Sequence, residues 1–183
     1  MTDTVFNQHE TLTINHLKAA VKKAIEHQSI FASTNNIIIA GGFFSSNLIG
    51  DQVNDIDVFI LNNDETLFTL LTSPANRSLG EPVDWKVNMN DGRSSYFNNP
   101  HILRTAKNGV NQVQYILTDY KTRKELIDSF DFVHCTINYV PIADKLFITR
   151  RAYDANNKKE LRYNGVTPAE QWRTHKFLAR GWK

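Results

Sequence analysis

Two aspartates separated by a single residue, Asp55 and Asp57, are the side chains of this sequence best suited to metal chemistry. They alternate with Ile56, Val58 and Ile60, which predicts a β-strand with both carboxylates on one face, roughly 6–7 Å apart at the backbone. Two like charges at that spacing resist joint ionisation unless a cation lies between them. Mg²⁺ takes carboxylate and phosphate oxygens together. The pair therefore predicts a site for a divalent metal and a polyphosphate.

A glycine pair, Gly41 and Gly42, precedes the aspartates and follows a short apolar run that predicts a buried strand. Glycines at the end of a strand allow the backbone to approach a bulky anion closely. The segment 43–50 predicts a short helix, whose free N–H groups and positive dipole end would point at the same place. Ser45 and Ser46 in this helix can donate hydrogen bonds to phosphate oxygens.

Each of these motifs has a simpler explanation when it is taken alone. A glycine pair after a strand is most often a turn, and an Asp-x-Asp pair on a strand is most often a solvated edge. Here the two motifs occur in order, and Asp55 and Asp57 lie among side chains that favour burial. Charges anchored in such a strand need a partner. The combination therefore favours a metal and polyphosphate site.

The elements that must position these residues are indicated by the periodicity of the apolar side chains. Strands are predicted over 37–40, 55–61, 83–87, 113–117, 132–139 and 146–149. Helices are predicted over 12–27 and 43–50, after the N-caps Asp64 and Thr122, and from Thr167. The remainder of 73–111 is predicted to be loop. This order predicts an α/β (α+β) fold in which helices flank one central sheet.

The length of 183 residues favours a single domain over 1–183. With 41% hydrophobic and 22% charged residues, and no apolar run of about 20 residues, we expect a soluble protein without a membrane segment. The N-terminus has no recognisable secretion signal. A single cysteine, Cys135, cannot form an internal disulfide, so we expect a cytoplasmic protein. Cys135 lies in an apolar run and is predicted to be a buried small hydrophobe.

The net charge of +2 is too small to indicate nucleic-acid binding by itself. Basic residues gather after Lys145, so 145–183 is predicted to be a basic C-terminal extension that ends in a helix. Such a segment suits a phosphate-bearing ligand, and an ordinary solvated surface explains it about as well.

The sequence resembles the head domain of the polymerase-beta-type nucleotidyltransferase superfamily in three segments, Ile39-Ala40-Gly41-Gly42, Leu48-Ile49-Gly50 and Asn54-Asp55-Ile56-Asp57-Val58-Phe59. CCA-adding enzymes, poly(A) polymerases and small phage and bacterial proteins belong to this superfamily. The resemblance is close over 37–61 and looser as far as Tyr139. It implies a nucleotidyltransferase-like mixed sheet, a nucleoside triphosphate bound at the glycine turn, and Mg²⁺ or Mn²⁺, two ions with the nucleotide bound, at the two aspartates.

The resemblance also implies a third carboxylate on a later strand, which would complete the metal site and help to deprotonate the acceptor hydroxyl. Asp131 is the best match because it opens the predicted strand 132–139, and Asp84 and Asp119 are its rivals. The simpler explanation for Asp131 is a loop residue at the start of a strand. His134 in the same strand could face the site, but a core histidine is favoured.

The sequence departs from the CCA-adding enzymes at Ser45-Ser46, where those enzymes usually carry an Arg-Asp pair. The triphosphate charge must then be neutralised from elsewhere. Arg173, Lys176 and Arg180 share one face of the predicted last helix and are candidate triphosphate clamps, Lys176 first. An ordinary solvated basic face is the alternative. Phage-type members of the superfamily have a similar basic pattern before an Arg-Gly-aromatic ending.

The sequence thus predicts metal-dependent transfer of a nucleoside monophosphate from a nucleoside triphosphate to an acceptor hydroxyl. The expected acceptor is an RNA 3′ end, and a protein hydroxyl, as in AMP-transferring or toxin-like members, is the alternative. A catalytically inactive module that binds a nucleotide or a partner is a second class, and the position of Asp131 relative to Asp55 and Asp57 separates it from an enzyme. A glycosyltransferase with an Asp-x-Asp metal site fits poorly, because Gly41-Gly42 would then have no role.

Overall fold

One mixed β-sheet organises the part of the chain that the computed structural model describes, residues 5–53, 55–73, 85–89, 99–108, 113–165 and 171–183. Its strands are β1 Ile37–Ala40, β2 Ile56–Ile60, β3 Trp85–Met89, β4 Ile102–Asn108, β5 Val113–Thr118, β6 Asn138–Val140 and β7 Lys145–Phe147. Within these residues the seven strands lie in the order β3-β4-β5-β2-β1-β6-β7. β2 and β5 are parallel, and the other neighbours are antiparallel. The predicted central sheet is confirmed.

Helices flank this sheet. They are α1 Gln8–Ala24, α2 Gly42–Ile49, α3 Glu65–Thr72, α4 Arg123–Asp128, α5 Arg150–Asn157 and α6 Gln171–Leu178, with 3-10 helices at Ser29–Ser33, Val133–Thr136 and Pro141–Ala143. Both predicted caps are confirmed: Asp64 Oδ1 accepts from the N–H of Leu67 at 3.0 Å, and Thr122 Oγ1 accepts from the N–H of Glu125 at 3.1 Å. These bonds satisfy backbone donors that the helix itself leaves unpaired.

The alternation of β2 divides the core between the two faces of the sheet. Ile56, Val58 and Ile60 belong to the larger buried cluster, whereas Phe59 belongs to the smaller one, which includes Leu126 of α4. Residues two apart on a strand share a face, so Asp57 lies on the face of Phe59. The predicted division into two faces is therefore confirmed for 56–60, whereas Asp55, which was predicted to open the strand, precedes it.

The strand predicted over 132–139 is wrong for most of its length. Residues Val133–Thr136 form a 3-10 helix, and only Asn138–Val140 pairs in the sheet. Thr136 Oγ1 donates to the carbonyl of Val133 at 2.7 Å and helps to close the 3-10 turn. A continuous apolar run indicates burial, but its periodicity does not distinguish a strand from a buried turn of helix.

β4 is a strand where the sequence predicts loop. Its residues Arg104, Thr105 and Lys107 are polar, so the run carries no apolar alternation. Pairing with β3 on one side and β5 on the other supplies the hydrogen bonds of this strand. Arg104 contributes by packing its guanidinium over the ring of Phe68 at 4.7 Å. Tertiary pairing overrides the weak local pattern here.

The basic segment 145–183 is built into the fold. It contributes the edge strand β7, which overlaps the strand predicted over 146–149, and it ends in the predicted helix α6. The helix α5 between them was not predicted from the sequence. Trp182, next to the end of the chain, is buried. The predicted start of this last helix at Thr167 lies outside the described residues. None of the helices in the described ranges is long and apolar enough to cross a membrane.

Candidate active site

The glycine turn lies directly against the second aspartate. Gly41 follows β1 with a φ of +90°, a conformation that glycine tolerates and other residues rarely adopt. A Cβ atom on Gly41 would lie 2.8 Å from Oδ2 of Asp57. Antiparallel pairing of β1 with β2 produces this approach, because Ala40 is the register partner of Asp57. The two motifs noted in the sequence therefore meet at one place.

The amino end of α2 opens at the same turn. The first N–H groups of a helix have no partner within it, and they carry the positive end of the helix dipole. Gly42 is exposed, and a Cβ atom there would meet nothing within 4 Å. Asp55 and Asp57 are half-buried. The carboxylate of Asp57 beside a helix amino end, with Asp55 two residues before it in the chain and no side chain at Gly41, fits a divalent cation that also holds phosphate oxygens.

The hydroxyl of Ser45 does not donate its hydrogen bond toward this site. Its hydroxyl is buried and donates to Oδ1 of Asn156 on α5 at 2.6 Å. Asn156 in turn donates to the carbonyls of His134 and Ala152 at 3.1 and 2.8 Å. The prediction that Ser45 donates to phosphate is therefore corrected, because the donor is used in packing α2 on α5. Ser46 is half-buried, and its phosphate-binding role stays a prediction.

Asp131 is held by α6 instead of joining the other two aspartates. Its carboxylate accepts from Nε of Arg173 and, at 3.1 Å, from Nη2 of the same side chain. Within the described ranges, no group of three His, Cys, Asp or Glu side chains is arranged to hold a metal ion. This arrangement does not support Asp131 as a third metal ligand. Its rival Asp119 pairs with His101 at 2.7 Å, and Asp84 lies outside the described residues.

Lys176 is a basic residue of α6 whose pKa is affected by the charge of Asp57. Desolvation lowers its pKa, and the cations Arg180 and Arg173 lower it further, while the negative charge of Asp57 acts in the opposite direction. Lys176 therefore lies within the electrostatic reach of Asp57. Arg173 is engaged by Asp131, and Arg180, like Lys176, is exposed. The role of these three residues as triphosphate clamps, with Lys176 first, stays a prediction.

An aromatic cluster fixes α6 in this position. The ring of His134 lies 4.0 Å from that of Trp182 and 4.5 Å from that of Phe177, measured between centroids. His134 is fully buried, and burial lowers its pKa to about 3, so the ring is neutral. The favoured core role of His134 is confirmed. Cys135 is likewise buried, as predicted, and burial raises the pKa of its thiol to about 12, which leaves it unreactive as a nucleophile.

Comparison with protein families places this arrangement in a known group. The model of the Gabija anti-defense 2 family matches residues 11–159, which include the glycine turn, the aspartate pair and the whole sheet. The chain belongs to the Gabija anti-defense 2 family. A search of curated proteins gives no match.

Among solved structures, this family member is similar in fold to CCA-adding enzymes. The match to a CCA-adding enzyme in its apo form I covers 82% of this chain and 33% of the enzyme, with a TM-score of 0.50 and 15% identity. The complex of a CCA-adding enzyme with ATP gives the same TM-score and coverage at 17% identity. The chain thus spans about a third of the length of these enzymes. The likeness confirms the predicted nucleotidyltransferase-like fold.

The register of the sheet shows which further residues of this Gabija anti-defense 2 protein share the face of Asp57. Gln114 on β5 is paired with Asp57, and Asn138 on β6 is paired with Ala40 on the other side. Gln114 is half-buried and Asn138 is buried. Paired residues in neighbouring strands point to the same face. Sequence reasoning missed both, because only the pairing of distant strands brings them beside the aspartate.

Proposed function

We propose that this chain is a metal-dependent nucleotidyltransferase that moves a nucleoside monophosphate from a nucleoside triphosphate to an acceptor hydroxyl. The observation that carries the proposal is the close approach of Gly41 to Asp57: a Cβ atom on Gly41 would lie 2.8 Å from Oδ2 of that carboxylate, at a φ of +90°. A turn that serves only to reverse the chain has no need of this approach. A turn that presents N–H groups to phosphates beside a metal-binding carboxylate is suited by it, because the phosphate and the metal then lie side by side.

In this reaction the residues of the chain mainly bind, orient and neutralise. Asp55 and Asp57 would hold Mg²⁺ or Mn²⁺, two ions with the nucleotide bound, and when bound the metal stabilises charge on the α-phosphate and lowers the pKa of the acceptor hydroxyl. The amino end of α2 would bind the phosphate chain, and Lys176 would neutralise part of its charge. The acceptor oxygen forms a bond to the α-phosphorus while the bond from that phosphorus to the bridging oxygen of the β-phosphate breaks, so pyrophosphate leaves, and the hydroxyl proton passes to water.

An RNA 3′ end remains the proposed acceptor. Two observations support it: the fold similarity to CCA-adding enzymes and the basic face of α6, where the charge of Asp57 acts on the pKa of Lys176. The family description points to a role against the Gabija defence system, so a protein hydroxyl of a defence component is the alternative acceptor. Labelling with a radioactive triphosphate, followed by separate RNase and protease digestion of the product, distinguishes the two.

A nucleotide-binding module without transferase chemistry is the second candidate function. The observation that favours it is the ion pair of Asp131 with Arg173, which occupies the carboxylate expected to complete the metal site. Such a protein would bind the triphosphate and the metal but would not catalyse nucleotidyl transfer.

The proposal is tested by titrating the four nucleoside triphosphates calorimetrically, with and without Mg²⁺, into wild type and the Asp55→Asn/Asp57→Asn double variant. We expect binding that requires Mg²⁺ in wild type and is lost in the folded double variant. Failure of all four nucleoside triphosphates to bind the folded wild type would contradict the proposal. Binding without transfer in the labelling assay would favour the second candidate.

A further inference from the structure

A partly buried arginine lies on the same face of the sheet as Asp57. Arg123 begins α4, and its Nη1 donates to Oδ1 of Asn138 at 3.4 Å. Its guanidinium carbon lies 3.9 Å above the ring of Phe147 on β7. A planar guanidinium stacked on a ring and tied to an amide is held in one orientation, with other N–H groups left for a ligand.

The register of the sheet relates this arginine to the metal pair. Asp57, Ala40, Asn138 and Phe147 are successive partners across β2, β1, β6 and β7. Strands lie about 4.8 Å apart, so Asn138 is about 10 Å from Asp57 at the backbone. Ala40 lies between them, and the glycine turn leaves the sheet from Ala40. The amino end of α2 therefore opens between Asp57 on one side and the Arg123–Asn138 contact on the other.

The charge of Arg123 is poorly compensated where it lies. Burial lowers its pKa, and the carboxylate that acts in the opposite direction, Asp128, is itself paired with Lys124. Stacking on Phe147 holds the cation but does not neutralise it. An anionic ligand at the glycine turn would supply the missing negative charge.

We propose that Arg123 binds the terminal phosphate of the nucleoside triphosphate, at the end of the phosphate chain furthest from the Asp55–Asp57 pair. This inference rests on the proposed function and extends it. The glycine turn of α2 lies between the two ends, where it would bind the middle of the chain. Arg123 thereby supplies positive charge that Ser45 and Ser46 in α2 cannot supply. The site would then select triphosphates over diphosphates.

The test compares the binding of ATP and ADP in excess Mg²⁺ by calorimetry, in wild type, Arg123→Met and Lys145→Met. Methionine keeps much of the stacked volume over Phe147 but removes the charge. Lys145 also lies over the ring of Phe147, at 4.9 Å, and is the matched control. We expect Arg123→Met to weaken ATP binding on the order of tenfold, as for the loss of one charge-assisted hydrogen bond. ADP binding in Arg123→Met, and both affinities in Lys145→Met, should stay as in wild type.

Equal loss of ATP and ADP binding in Arg123→Met, or an unchanged preference for ATP, would overturn the assignment while the nucleotide site itself stands. Failure of wild type to bind either nucleotide would overturn the proposed function and this inference together. Should Arg123→Met not fold, Arg123→Lys serves instead. It keeps a cation but loses the guanidinium plane, so we expect a reduced preference for ATP, and a full preference would overturn the assignment.

Discussion

The hydroxyl of Ser45 on α2 and the amide of Asn156 on α5 form a buried hydrogen bond of 2.6 Å, and Asn156 also ties α5 to the carbonyl of His134. This contact joins the helix of the glycine turn to the C-terminal part of the chain. A residue that looks like a phosphate ligand in the sequence is thus a packing residue in the structure. Its hydrogen bond fixes α2, and α2 positions Gly41.

Replacing Asn156 should destabilise the fold. Asn156→Ala leaves the Ser45 hydroxyl and the His134 carbonyl without a buried partner, so we expect a loss of about 2–4 kcal/mol in the free energy of unfolding, measured by urea denaturation. Asn157→Ala is the control, because Asn157 is the exposed neighbour on the same helix. Ser45→Ala should lower stability and leave the ATP affinity unchanged. A variant that lost affinity but kept stability would restore Ser45 as a phosphate ligand.

Substitutions at three glycines, Gly41 and Gly42 at the turn and Gly50 at the end of α2, distinguish backbone strain from steric contact. Gly41→Ala places a Cβ atom 2.8 Å from Oδ2 of Asp57 at a φ of +90°, so we expect a cost of about 1–3 kcal/mol and loss of Mg²⁺-dependent ATP binding. Gly50→Ala has positive φ but open space and should cost about 1 kcal/mol with ATP binding intact. Gly42→Ala meets nothing and should be nearly neutral. Denaturation and calorimetry measure both effects, and retained binding in Gly41→Ala would contradict the turn's role.

Burial of His134 makes stability depend on pH. Its pKa is about 3 in the folded protein and about 6.5 in the unfolded chain, so the unfolded state binds an extra proton between these values. The free energy of unfolding should therefore fall as pH drops below 6.5, by up to about 1.4 kcal/mol per pH unit from this residue. Above pH 6.5 this contribution is constant.

The variant His134→Phe should lack that dependence. Its stability relative to wild type should rise as the pH falls from 6.5 to 4.5, measured by urea denaturation at each pH. The free energy of unfolding of His16→Gln, at an exposed position on α1, should change with pH in parallel with that of wild type. Parallel curves for His134→Phe and wild type would show that the folded histidine accepts a proton.

Gln114 offers a gain-of-function test of the metal pair. It is the register partner of Asp57 on β5, and a carboxylate there would add a third acidic side chain on the same face. Affinity for a hard cation rises with the charge of its ligands, so Gln114→Glu should bind Mn²⁺ about tenfold more tightly than wild type, as measured by calorimetry. Gln8→Glu adds the same charge at an exposed site on α1 and should change nothing. An unaltered Mn²⁺ affinity in Gln114→Glu would argue against metal at Asp57.

The local features of the fold are encoded in short stretches of sequence. The alternation around Asp57, the run of β1 and the caps Asp64 and Thr122 depend on neighbours a few residues away, and the structure has them as predicted. The glycine turn was recognisable for the same reason, because backbone freedom at Gly41 is a property of the residue type.

Only the tertiary structure decided which distant residues meet at the site. Asp131 pairs with Arg173 on α6, which lies 42 residues later in the chain. Gln114 and Asn138 lie on the face of Asp57 because of the register of their strands. Such contacts follow from how the strands and helices pack. A periodic pattern specifies which face of an element is buried, but it carries no information about the partner that buries it.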